Sequence, residues 1–127
     1  MTFSDVNIAL SSMFVVSNVS AQTYEINTRA TFQNGETIKI YLANENNNWY
    51  LTDKKHTLKY MNEIYDLKSV DVKSCISAVL KIYGFSIFAG ELRAKVFDEI
   101  QLQNQVFDFI MCIAQLTNMY AFFDKPE

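Results

Sequence analysis

The stretch WYLTDKKHTLKYM, Trp49 to Met61, gathers the only tryptophan and the only histidine of the chain with an aspartate and three lysines, two of them adjacent. Three kinds of chemistry can be written on these residue types. Asp53 with Glu36, from a neighbouring strand, is the carboxylate pair that general acid–base or metal-assisted chemistry requires. His56 is the one side chain here whose unperturbed pKa lies near neutrality, as a general base needs. Lys54 and Lys55 beside Trp49 make the basic-plus-aromatic grouping that single-stranded nucleic acid favours. Cys75 and Cys112 are nucleophiles by type, but both stand on apolar stripes with no base nearby in sequence.

Each residue also has a plainer reading, and the plainer one is taken. Asp53 starts a helix, Glu36 is a charge at the edge of a hairpin, and His56 is a solvated first-turn residue. Lys54 and Lys55 form a solvated turn. Two isolated cysteines with neither close spacing nor histidine neighbours do not make a zinc site, so no metal and no cofactor is expected, and buried, reduced thiols are. There is no catalytic triad, phosphate-cradling glycine loop or dinucleotide fingerprint. Glu36, Asp53 and His56 remain the residues on which any catalysis would rest.

The elements that must hold these residues follow from periodicity. Near the N-terminus, Thr2 or Ser4 as cap, Asp5 in the first turn, and Val6, Leu10, Met13 and Phe14 along one face predict an amphipathic helix. From Tyr24 the period becomes two: Tyr24, Ile26, Thr28, Ala30 and Phe32, then Ile38, Ile40 and Leu42, mark half-buried strands. Asn34-Gly35 predicts a type I′ hairpin, and Glu45 to Asn48 a looser one into a third strand at Trp49-Tyr50-Leu51. A short helix follows with Leu58, Met61 and Ile64 or Tyr65 inward, then a stronger one from the Ser69 cap to a Gly84 stop. FSIFAGELRAKVF is expected to return as a fourth strand bent at Gly90. A long helix over Glu99–Phe122 closes the chain, with Val106, Phe109, Ile110, Ile113, Leu116 and Tyr120 on one face. The expected class is α+β: an antiparallel sheet of three to four strands packed against helices, with an N-terminal helix and a long C-terminal one.

Composition limits the rest. The 127 residues are half apolar, with 3 Gly and 1 Pro, so residues 1–127 are expected to form a single domain with no linker. A net charge of −3 gives no general field for nucleic acid, and no run is long enough to cross a membrane. The apolar stretch before Ser20 lacks the preceding positive charge of a signal peptide and is broken by Ser11 and Ser12, which favours a cytoplasmic protein. Phe107, Met111 and Ala114 form a second apolar stripe on the long helix, and a homodimer through it is expected, with burial under the N-terminal helix as the alternative.

In order, a strand ending at Thr28, an I-x-I-Y strand (Ile38, Ile40, Tyr41), YLTD (Tyr50 to Asp53), TLKYM (Thr57 to Met61), AVLKIYGF (Ala78 to Phe85) and GEL (Gly90 to Leu92) lead to a terminal helix. This pattern resembles the bacterial and phage family of domain of unknown function 1828, over about residues 28–122. Thr28, Glu36, Thr52 and Asp53 match its motifs in type or charge. Arg29, Ala30 and Phe32 replace a Pro, Phe and Asp, and Lys54 and Lys55 replace an Asp and a Gly, so two acidic positions of the family pattern are missing here. The resemblance brings no activity with it. Its phage and mobile-element setting implies a small non-enzymatic protein-binding or inhibitor module acting on a host protein, for instance a defence component, as an anti-CRISPR protein does. The alternatives are a degenerate nuclease-like or hydrolytic enzyme on Glu36 and Asp53, and a nucleic-acid-binding accessory domain using Lys54 and Lys55. Trp49, Lys54, Lys55, Phe107 and Met111 are the expected binding residues.

Overall fold

The computed structural model describes residues 1–119. Within them the chain is α+β, in the order α1 (Phe3–Leu10), β1 (Val15–Ser20), β2 (Thr23–Thr31), β3 (Thr37–Glu45), β4 (Asn48–Thr52), α2 (His56–Ile64), α3 (Val70–Tyr83), β5 (Ser86–Phe88), β6 (Glu91–Lys95) and α4 (Leu102–Thr117). One antiparallel sheet of six strands holds them together, in the order β1-β2-β3-β4-β6-β5. After β4 the chain leaves for α2 and α3, then returns so that β6 pairs with β4 and β5 lies outside it.

The two-residue period decides which face is buried. Tyr24, Leu42, Leu51 and Ala94 stand opposite one another across four strands. With Ile26, Ile40 and Leu92 they meet Leu102, Val106, Phe109, Ile113 and Leu116 of α4 in one core, where each of these α4 side chains is at most 1% exposed. Burying such a side chain is worth about 1.5–3 kcal/mol, and a one-residue slip of any strand would turn its whole set to solvent. α4 therefore lies across the sheet as its central helix, with α1, α2 and α3 packed around it. At its end, Gln33 Nε2 donates to Asn118 Oδ1 at 2.7 Å, tying it to the β2–β3 turn.

Turn chemistry explains where the sequence reading and the structure part. Asn46 and Asn47 both have positive φ, 53° and 64°, and join the paired residues Glu45 and Asn48. The two-residue left-handed turn expected at Asn34-Gly35 is thus found here. In the loop between β2 and β3 only Gly35 is left-handed, at φ 89°. Its N–H donates to the Phe32 carbonyl (3.0 Å), and the Phe32 N–H donates to the Glu36 carbonyl (2.8 Å), giving a three-residue loop. Asn34 stays out of the left-handed region, and its Oδ1 accepts the Glu36 N–H at 2.9 Å. Another left-handed pair, Ala89 and Gly90 at 49° and 84°, splits FSIFAGELRAKVF into β5 and β6. The remaining extra strand is β1: α1 stops at Leu10, and the β-branched Val15, Val16 and Val19 that follow take up extended backbone. The sheet consequently has six strands rather than three or four, and Met13 is exposed rather than on a helix face.

The caps agree with the sequence. Thr2 and Asp5 form a reciprocal capping box on α1, Ser69 accepts the Val72 N–H on α3, and Gly84 stops α3 at φ 70°. α4 is shorter than expected, Leu102–Thr117 rather than Glu99–Phe122; the expected Tyr120 and Phe122 lie outside the described residues.

Candidate functional site

The segment after β4 makes a sharp corner, because Lys54 and Lys55 both adopt left-handed backbone, at φ 52° and 73°. Lys55 precedes the first residue of α2, but its side chain gives no cap. That work falls to Asp53, which is 1% exposed. Its Oδ2 accepts the Thr57 N–H at 2.9 Å, and its Oδ1 accepts the N–H of Lys55 and of Leu92, both at 3.0 Å. One carboxylate thereby satisfies the start of α2 and fixes β6 to the corner, with the positive end of the helix to stabilise its charge. Among the described residues no side-chain cation reaches it. Its charge is felt at Cys112 of α4, whose thiol is pushed up to about 12 by burial first and by Asp53 second.

Thr52 continues the arrangement on the other face of the sheet. Its hydroxyl donates to Glu91 Oε1 at 2.6 Å and accepts the Lys54 N–H at 3.0 Å. Glu91 Oε2 accepts from Arg93 Nη2 at 3.1 Å. Burial pushes the Glu91 carboxyl up, but the bonds from Thr52 and Arg93, with the charges of Arg93 and Lys55, outweigh it and leave the pKa below the ordinary value.

The three residues on which catalysis was expected to rest are not brought together. Glu36 and His56 share the wall of a cavity of about 240 Å³ with Lys59, Tyr60 and Glu63. Asp53 does not line that cavity, and its carboxylate is taken up by a cage of backbone N–H groups. Glu36 and His56 are exposed, and among the described residues no hydrogen bond or ion pair orients the imidazole. The Glu36–Asp53 pair that acid–base or metal chemistry would use is therefore absent as a pair. No group of three or more His, Cys, Asp or Glu among the described residues is placed to hold a metal.

The expected basic-aromatic cluster is also divided. Trp49 lies on the helix-covered side, stacked on Tyr24 with ring centroids 6.0 Å apart. Lys54 lies on the opposite side, its Nζ 4.1 Å from the Tyr41 ring centroid. The parity of β4 separates them: Trp49 and Leu51 point one way, Tyr50 and Thr52 the other.

That opposite side carries no described helix, and sequence reasoning passed over it. Arg93 is its centre, with its guanidinium carbon 4.3 Å from the Tyr50 ring centroid and 4.6 Å from that of Phe88. Glu91 and Glu45 hold it in place, the latter at 3.8 Å. Tyr41 is only 8% exposed under Lys54, and burial, then the Glu25 charge, raise its phenol above the usual value despite Lys39. Lys95 sits over Phe97 at 5.4 Å. The signal was present as Tyr41, Tyr50, Arg93 and Lys95 at the strand positions facing away from the core, but alternation alone marks such positions only as polar.

On α4, Phe107 packs on Phe14 at 5.2 Å between ring centroids and is 37% exposed, while Met111 is 52% exposed. Part of the surplus stripe is thus covered within the chain, by Phe14 between α1 and β1. Cys112 is buried as expected, but Cys75 is only partly covered and lines a cavity of about 360 Å³ with Val79 and Met119 between α3 and α4. No described helix is long and apolar enough to cross a membrane.

Among curated proteins and among solved structures nothing matches the chain. The family described as Domain of unknown function DUF1828 matches residues 28–116, from the bulged end of β2 to the last turn of α4. Since that is well over half of the sequence, the protein belongs to this family.

Proposed function

We propose that the protein is a non-enzymatic protein-binding module that recognises its partner through the helix-free face of the sheet. The observation that carries this reading is Arg93, held between Tyr50 and Phe88 and braced by Glu91 and Glu45. An arginine and two aromatic rings, already ordered before binding, are the composition of an interface hot spot, and pre-ordering reduces the entropy lost on association. Phe88 is 60% exposed, so apolar area is available there. Lys54 on Tyr41 and Lys95 on Phe97 extend the surface along the sheet. Against catalysis stand the separation of Asp53 from Glu36 and the unoriented His56. The inhibitor reading, with a host defence protein such as a CRISPR component as the target in the cytoplasm, rests on the phage and mobile-element setting of the resemblance and belongs to the same proposal.

The test is affinity capture from host lysate with the wild type and with Arg93→Ala and Tyr50→Ala, followed by titration of the captured protein. Each variant is expected to weaken binding at least tenfold, about 1.4 kcal/mol. Unchanged binding by both would remove the sheet face from the proposal. If the same variants instead weaken a complex with single-stranded DNA whose affinity falls steeply with salt, the face serves nucleic acid.

A further inference from the structure

The two edges of the sheet are protected to different degrees. β5 is three residues long, with the Arg93 guanidinium packed on its Phe88 ring. β1 is six residues long, VVSNVS, and contains no Lys, Arg, Asp, Glu or Pro. Its pairing is all to β2, so its outward backbone N–H and C=O groups have no described partner. Natural edge strands are normally defended by charge, proline or shortness, and β1 has none of these. Val15 and Val19 on it are 49% and 50% exposed. The apolar surface continues past the edge: Phe14, just before β1, packs on Phe107, beyond which Met111 is exposed.

We infer that β1 is a self-pairing edge, at which a second copy of this chain adds its own β1 antiparallel to continue the sheet across a two-fold axis. The choice of occupant follows from the strand's chemistry. An uncharged strand laid antiparallel on itself meets no like charge at any register, whereas a charged partner strand would find no complementary group in it. The same two-fold brings the exposed part of the α4 stripe towards its mate, so the apolar flank and the backbone edge are covered together. β1 lies at the opposite end of the sheet from β6 and β5, so the homodimer stands whether or not the Arg93 surface binds a partner.

Sedimentation of the full chain at roughly 5–100 µM, a span of about twentyfold, is expected to show a dimer, and Val15→Lys/Val19→Lys a monomer with an unchanged circular-dichroism spectrum. Hydrogen exchange of the wild type should slow in β1 alone among the strands as concentration rises. A wild-type monomer at the highest concentration, or exchange in β1 that is independent of concentration, would overturn the inference even if the double variant failed to fold. A dimer that persists in the folded double variant would do so too, and would return the contact to Phe107 and Met111.

Discussion

The start of α2 has two sides that differ in how their charges are held. On the inner side, the Asp53 carboxylate is buried and takes three backbone N–H groups from two separate elements. On the outer side, His56, Glu36, Lys59 and Glu63 surround a cavity of about 240 Å³, with no bond among the described residues orienting the imidazole. A charge taken out of water must have its partners built in, so the inner side is architecture. A charge left in water needs none, and the outer side is free to vary. Sequence alone presents Asp53, Glu36 and His56 as one set; burial divides them.

The largest effect should come from breaking the inner side. Asp53→Ala leaves three N–H groups without their acceptor, two at the corner and one on β6. Each buried, unsatisfied donor costs about 1–3 kcal/mol, so a loss of about 3 kcal/mol or more is expected in denaturant unfolding, beyond the roughly 1 kcal/mol of a simple helix cap. Asp53→Asn keeps one acceptor but turns an amide N–H₂ towards one of the donors, and should fall between. A loss no greater than a cap's would show that β6 does not depend on this carboxylate.

Cys112 sharpens the same contrast through reactivity. Its thiol, raised to about 12 by burial and then by Asp53, stays protonated in the folded protein at any ordinary pH. The raised value also means that the stability contributed by the neutral thiol is complete below its unfolded value near 9 and is lost as pH climbs towards 12. A thiol reagent at pH 8 should label Cys75 quickly and Cys112 only at the rate of unfolding. Equal labelling of both would mean that the α4 interior opens without global unfolding.

Much of the fold was legible because burial follows period. Val6, Leu10, Ile26, Ile40, Leu51, Val106 and Phe109, all fully buried, fall where helical or alternating spacing puts them. What escaped was set by turn geometry or by tertiary contact. Asn46-Asn47 and Ala89-Gly90 make the tight turns, whereas Asn34 does not, since its side chain satisfies the Glu36 N–H without positive φ. β1 was hidden because an apolar run beside a helix has no period of its own until β2 pairs with it. Of the candidate site, the role of Asp53 as the start of α2 was legible from its position before a helical stripe. Its bond to Leu92 was not, since no local pattern reports a residue that far along the chain. Arg93 escaped for the same reason: its importance comes from Tyr50 and Phe88, which only the β4-β6-β5 order brings to it.

A smaller effect is expected on the helix-free face. Glu91 is held below the ordinary carboxylate value because Thr52 and Arg93 outweigh the cost of its burial. A depressed folded value contributes stability that is complete above the unfolded pKa and is lost as pH falls through the folded one. Thr52→Val removes the 2.6 Å bond while keeping the shape of the side chain. The Glu91 carboxyl, followed by NMR, should then titrate at higher pH, and stability should drop by about 1 kcal/mol at neutral pH. An unmoved titration would show that Arg93 alone holds this carboxylate.

The smallest effect is expected on the outer side of α2. His56→Ala removes an exposed first-turn side chain, and Glu36→Gln removes a charge beyond a hairpin, so each should change stability by less than about 0.5 kcal/mol. Neither touches the Arg93 face, and partner binding should be unchanged as well. The double variant carries the argument furthest, because two residues of one catalytic constellation would lose activity together while two exposed side chains would lose nothing. If His56→Ala/Glu36→Gln abolished a biological readout that Arg93→Ala left intact, with folding normal in both, the cavity would be the working site and the helix-free face only a well-packed surface.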